Sequence, residues 1–103
     1  MLMMKSPPHP GGYIREFVME PLDLNVSEVA VLLQMTRQNP SRVINGHSSI
    51  TAELALKLEK AFGIEAGTTL RMQAIYDEAQ ARKTMQSITK GIKPHPSAAA
   101  TGS

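Results

Sequence analysis

The sequence predicts an all-α fold, a compact bundle of five helices. Three observations carry this. Apolar residues recur at three- and four-residue spacing from Tyr13 to Ala79. No stretch alternates apolar and polar residues as a strand with one buried face does. Helix starts and stops punctuate the chain, with Asn25 and Thr51 as caps and Gly46 and Gly63 as terminators.

The elements follow in order. "SPPHPGG" (6–12), with three prolines and two glycines, reads as an extended lead. Tyr13, Ile14, Phe17 and Val18 then repeat at helical spacing, and Pro21 is expected to stop the first helix. "NVSE" (25–28) is a capping-box pattern, in which Asn25 and Glu28 satisfy each other's backbone amides. Val29, Ala30 and Leu33 form the apolar stripe of the helix it opens. A short third helix begins at Arg37 or later and ends near Asn45-Gly46. Thr51 caps a fourth, with the stripe Leu54, Ala55, Leu58, Ala61 and Phe62, ended by Gly63. A fifth starts near Ala66, carries Leu70, Met72, Ile75, Tyr76 and Ala79, and frays toward Lys90. "GIKPHPSAAATGS" (91–103) reads as disordered. The domain organisation is an extended lead over 1–11, a helical domain over 12–83, and a frayed end with a flexible basic tail over 84–103.

Composition bounds the function. The 103 residues suit one domain, and 42% hydrophobic with 19% charged describes a globular chain. With no Trp and four aromatic residues, the core must be aliphatic. Cysteine is absent, which excludes disulfides, thiol catalysis and cysteine-ligated zinc, and fits a cytoplasmic location. No apolar run approaches a membrane span. The start, "MLMMKSPPHP", is too proline-rich for a signal peptide. Net charge is only +2. From Arg82 onward, however, Lys83, Lys90 and Lys93 meet no acidic residue. That leaves open a solvated tail or one that touches phosphate or an acidic partner.

No enzyme chemistry is legible. His9, His47 and His95 lie far apart and form no metal-ligand pattern. Asp77 and Glu78 are helix neighbours that point to different sides. There is no phosphate loop, dinucleotide fingerprint or nucleophile elbow. No catalytic residue, cofactor or metal is expected.

The helix pair over 26–45 is more informative. Ala30 is small where two helices must cross closely, Met35 fills the turn, and Val43 and Ile44 anchor the second helix. This is the pattern of a helix-turn-helix unit, in which the first helix braces and the second enters the major groove. The second helix presents Arg37, Gln38, Ser41 and Arg42 away from its apolar side. Arg suits guanine O6/N7 and Gln suits adenine N6/N7. An ordinary polar surface is the competing reading.

The sequence resembles the HigA-type antitoxins, a branch of the XRE/Cro–CI-like helix-turn-helix group, over roughly residues 7 to 80. The resemblance rests on "HPG" (9–11), "EPLDLNVSEVA" (20–30), "TRQNPSRVINGHSSITAELALKLEKAFG" (36–63) and "LRMQAIYD" (70–77). It implies a lambda-repressor-like DNA-binding domain. It also implies a homodimeric autorepressor that binds a palindromic operator in double-stranded DNA and neutralises an mRNA-cleaving ribonuclease toxin. By this likeness Thr36, Arg37, Gln38, Asn39, Ser41 and Arg42 fall on the DNA-facing stretch, with Thr36 capping the recognition helix and touching phosphate. Two alternatives stay open: a toxin-capping interaction module with impaired DNA reading, and a stand-alone XRE-family repressor.

This chain departs from the family pattern at named places. Gln34 and Asp23 stand where glycine is usual, Thr69 where Trp is common, and Glu65-Ala66 in place of a Ser-Pro helix start. The fifth helix should therefore have a weaker cap and a smaller anchor. Pro40 replaces an aliphatic residue inside the recognition helix. Either Thr36 caps the helix and Pro40 is its fourth residue, or Asn39 caps it and Pro40 is its first. The first is favoured, because Met35 and Val43 should hold the helix in its usual groove.

Overall fold

The computed structural model describes residues 6–99, without the side chain of Ala99. Among these residues all regular structure is helical. Helix α1 is continuous through three segments, Pro10–Ile14, a π-helical turn Arg15–Met19, and Glu20–Leu22. It is followed by α2 (Val26–Leu32), α3 (Gln38–Ile44), α4 (Ala52–Phe62) and α5 (Ala66–Lys83). Two short helices, α6 (Met85–Ile88) and α7 (Pro96–Ala99), extend the five-helix body. Helix α1 packs on α3 and α5, α2 on α3, and α4 on α5.

The core is aliphatic, as the composition requires. Ile14, Val18, Val29, Leu33, Val43, Ile44, Leu54 and Leu58 form one buried cluster, with Met35, Phe62 and Leu70 packed against it. Burying a side chain such as Leu58 contributes roughly 1.5–3 kcal/mol.

Helix α1 starts earlier and ends later than the sequence suggested. Pro10 is its first residue, preceded by His9, whose Nδ1 accepts the Gly11 amide at 2.9 Å. Proline is favoured at that position because its missing amide would be unpaired there anyway. The expected lead over 1–11 is thus helical from Pro10, and its residues 1–5 lie outside the described residues. At the other end Pro21 sits inside the last turn. The widened turn just before it, where the Glu20 amide reaches back to the Arg15 carbonyl, accommodates the ring.

Three helices end in one way. After α1, α2 and α3 the chain enters the left-handed region at Asp23 (φ 53°), Gln34 (φ 54°) and Gly46 (φ 79°). In each case the next amide, of Leu24, Met35 or His47, reaches back to the carbonyl of Met19, Ala30 or Arg42. This is the Schellman closure. At α2 it turns the chain toward α3 and seats Met35 against the core.

The caps at Asn25 and Thr51 are present as the sequence predicts. Asn25 and Glu28 bond reciprocally at 2.8 and 2.9 Å, and Thr51 Oγ1 accepts the Leu54 amide at 3.2 Å. Two stripes need correction. Ala61 is exposed on α4, and Ile75 is exposed on α5. The seam of α5 runs instead through Ala66, Thr69 and Gln73. Thr69 is fully buried and donates to the Ala66 carbonyl at 3.1 Å. The expected weak cap of α5 is compensated from outside: Glu59 on α4 accepts the Ala66 amide at 2.8 Å. In the tail, which the sequence predicts to be disordered, residues 92–95 carry no helix, Pro96–Ala99 form a helical turn, and 100–103 lie outside the described residues.

Candidate nucleic-acid interface

Helix α3 runs through its proline. The turn opens at Thr36, whose carbonyl accepts the Asn39 amide at 3.1 Å. Arg37 already has helical angles (φ −54°, ψ −33°), and the Ser41 amide bonds to its carbonyl at 3.1 Å. Pro40 lies between, its ring buried beside Val29, Leu33 and Val43. The carbonyl that Pro40 cannot serve is served by the residue before it. The N-cap is therefore Arg37 and Pro40 is the third helical residue, which matches neither expected arrangement, and no side chain caps the helix, contrary to the role expected of the Thr36 hydroxyl.

Thr36, Gln38, Asn39 and Arg42 line one open depression of about 240 Å³. All four are exposed. Arg42 is held in it from the α3–α4 loop: its Nε donates to Ser48 Oγ at 2.9 Å and its Nη2 to the His47 carbonyl at 3.3 Å. A guanidinium has five N–H donors, so those not used in these two bonds are held in a fixed plane. Arg37 diverges from this group. Its Nε donates to Ser27 Oγ on α2 at 3.0 Å, which ties the opening turns of the two helices together. Ser41 is half-buried, and its carbonyl and Oγ both accept from Asn45 Nδ2, at 2.9 and 3.4 Å. Between Glu28 and Glu53 the chain carries Arg37, Arg42 and His47 and no carboxylate. The face is therefore suited to an anion.

The sequence reading missed the residues that aim these side chains. Ser27 and Ser48 orient the two arginines. Arg15 reaches from α1 to the Ile44 carbonyl and Asn45 Oδ1 at 3.2 and 3.1 Å, closing the C-terminal end of α3. Serines are too common in loops and caps to signal this role by spacing alone. Among the described residues no group of three His, Cys, Asp or Glu could hold a metal ion. No helix there is long and apolar enough to cross a membrane.

A helix-turn-helix family model matches residues 14–68. The chain is 39% identical over 97 residues to virulence-associated protein A of Dichelobacter nodosus, spanning 93% of this chain and 95% of that protein. It is 32% identical over 95 residues to an uncharacterized HTH-type transcriptional regulator of Haemophilus influenzae, spanning 90% and 89%. Its fold is similar to that of an addiction module antidote protein of a HigA family from Coxiella burnetii. That likeness has a TM-score of 0.75 at 31% identity, over 87% of this chain and 99% of the other.

Proposed function

Because the chain belongs to the XRE-type helix-turn-helix family, we propose that it is a DNA-binding antitoxin that represses its own operon. In this reading it acts in the cytoplasm, as a homodimer on a palindromic operator, and neutralises a partner ribonuclease toxin. It is not an enzyme. The observation that carries the DNA reading is the depression lined by Thr36, Gln38, Asn39 and Arg42, with the arginine fixed in orientation. Arg42 and Gln38 are suited to base edges. Arg37, on the far side beside Ser27, suits phosphate. The likeness to a HigA-family antidote protein, over nearly all of that chain, supports the antitoxin part.

An interaction module with impaired DNA reading would require Pro40 or Gln34 to disrupt the helix-turn-helix. A helix that runs through Pro40 and a turn that closes at Gln34 weigh against it.

Fluorescence anisotropy tests the proposal, using labelled DNA from just upstream of the gene and a scrambled duplex. An operator reader favours its own site by about 10³ or more. Equal, weak and steeply salt-dependent binding to both would leave only charge attraction. Co-expression with the neighbouring small reading frame tests the second part. Growth rescued from that frame's toxicity supports an antitoxin, and no rescue favours a stand-alone repressor.

A further inference from the structure

Gln73 lies on α5, away from the candidate DNA face, and is one of two buried polar residues among those described. Both ends of its amide are used. Oε1 accepts the Ile50 amide at 2.8 Å, and Nε2 donates to Asp77 Oδ1 at 2.9 Å. Ile50 closes the loop between α3 and α4, and its own side chain is buried. At the start of that loop, the His47 and Ser48 amides both bond to the Arg42 carbonyl, at 2.7 and 3.2 Å. Its middle holds the Arg42 guanidinium, through Ser48 Oγ and the His47 carbonyl. The loop is therefore tied to α3 at one end and to Gln73 at the other, with the arginine hung between.

We infer that Gln73 is a positioning residue for DNA reading, fixing the Arg42 guanidinium through the loop 46–50. The inference rests on the DNA reading proposed above. The chemistry at this position is demanding. It needs an acceptor for a buried amide and a donor to a carboxylate, on one uncharged side chain. Without the acceptor the Ile50 amide is left unpaired in the core. A buried unpaired amide is costly enough that the loop shifts to find another partner. Arg42 then loses its fixed plane while keeping its charge.

The test uses the full chain and the two duplexes already described, at one salt concentration and at a temperature where circular dichroism shows every variant folded. Gln73→Met keeps the length and removes both bonds. Its expected effect is a loss of about tenfold in operator affinity with scrambled-duplex affinity within about twofold, since charge is unchanged. In an Arg42→Ala background the same substitution should change operator affinity by less than about twofold, because the residue it positions is gone. Equal loss on both duplexes, or full additivity with Arg42→Ala, would overturn the inference and leave Gln73 a packing residue. Should Gln73→Met not fold, Gln73→Glu takes its place. It keeps the acceptor but sets two carboxylates together, and adding Asp77→Asn reverses the donor and should recover discrimination. No recovery in a folded double variant also counts against it. A wild-type chain that does not discriminate between the duplexes removes the DNA reading itself, an outcome distinct from any of these.

Discussion

The Asn39 amide donates to the Thr36 carbonyl at 3.1 Å, one residue ahead of a proline that cannot. This short turn lets Pro40 occupy α3 without an orphaned carbonyl. The ring is also buried beside Val29, Leu33 and Val43, in place of an aliphatic side chain. Replacement by alanine removes roughly 1.5 kcal/mol of ring burial. It restores one backbone bond, about 1 kcal/mol. Pro40→Ala should therefore change unfolding free energy by less than about 1 kcal/mol in urea titration. A loss above about 2 kcal/mol would mean that the ring is a core element in its own right.

Asp23 and Gln34 take left-handed angles that L side chains rarely adopt, each closing a helix end. The strain is about 1–2 kcal/mol per residue, and less for Asp, whose short polar chain tolerates such turns. Glycine removes the strain but gains unfolded-state entropy of about 0.4–1 kcal/mol. Gln34→Gly should stabilise the chain by about 0.5–1 kcal/mol, raising Tm by roughly 2–8 °C. Asp23→Gly should gain less. A fall in Tm for Gln34→Gly would show that its side chain contributes something the backbone angle hides.

Gly11 is required by proximity rather than by its own angles. A Cβ there would overlap the Val43 carbonyl oxygen and sit 2.7 Å from that of Ile44. Both obstacles are backbone of α3, so neither can rotate aside. Gly11→Ala should cost about 1–3 kcal/mol by overpacking, or displace α3 from α1. Thermal unfolding and operator affinity together separate these outcomes. Gly12→Ala is the control, since its Cβ position is open, and it should be near neutral. Equal effects of the two would mean that the contact between α1 and α3 gives way easily.

The contrast between Gly11 and Gln73 shows what was legible in the sequence. Helix existence was written locally, in the stripe Val29–Ala30–Leu33, the Asn25–Glu28 box and the stop at Gly46, because each acts over a few residues. Asp23 and Gln34 stand where glycine is usual in the family the sequence resembles, and both take left-handed angles. What was not legible depends on contacts far apart in the chain. Gln73 meets Ile50, Arg15 meets Ile44, and Glu59 meets Ala66. No period or motif announces such pairs. Pro10 and Pro21 were read as breakers because proline's helix penalty is local knowledge. Its relief, by a helix start and a widened turn, is set by the packing of α1. At the candidate site the polar residues were legible, but not that Ser41 is half-buried or that Arg37 is turned to Ser27.

Glu59 stands in for a missing cap. Helix α5 begins after Glu65 with no side-chain bond at its own N-cap, and Glu59 Oε1 accepts the Ala66 amide from the neighbouring helix. A carboxylate at a helix start also meets the positive end of the helix dipole. Glu59→Ala should cost about 1 kcal/mol, the usual worth of a lost cap. Glu59→Gln keeps the acceptor and should cost less. Glu65→Ser, which allows a local cap, should recover part of the loss in the Glu59→Ala background. If Glu59→Ala leaves the unfolding midpoint unchanged, the cross-helix cap carries no stability.

The two arginines of the candidate DNA face should fail in different ways. Arg42 is fixed by Ser48 and His47 beside Gln38 and Asn39, whereas Arg37 is turned to Ser27. If Arg42 reads a base, Arg42→Ala should weaken operator binding by about 1–3 kcal/mol and relax preference at one base position. If Arg37 meets phosphate, Arg37→Ala should weaken operator and scrambled duplex alike and reduce the salt slope by about 1. Ser48→Ala removes only the support of Arg42 and should fall between wild type and Arg42→Ala on the operator, with no change on the scrambled duplex. These outcomes come from one set of anisotropy titrations at several salt concentrations. An Arg42→Ala chain with unchanged operator affinity would remove Arg42 from the contact and shift the assignment to Gln38 and Asn39, which line the same depression.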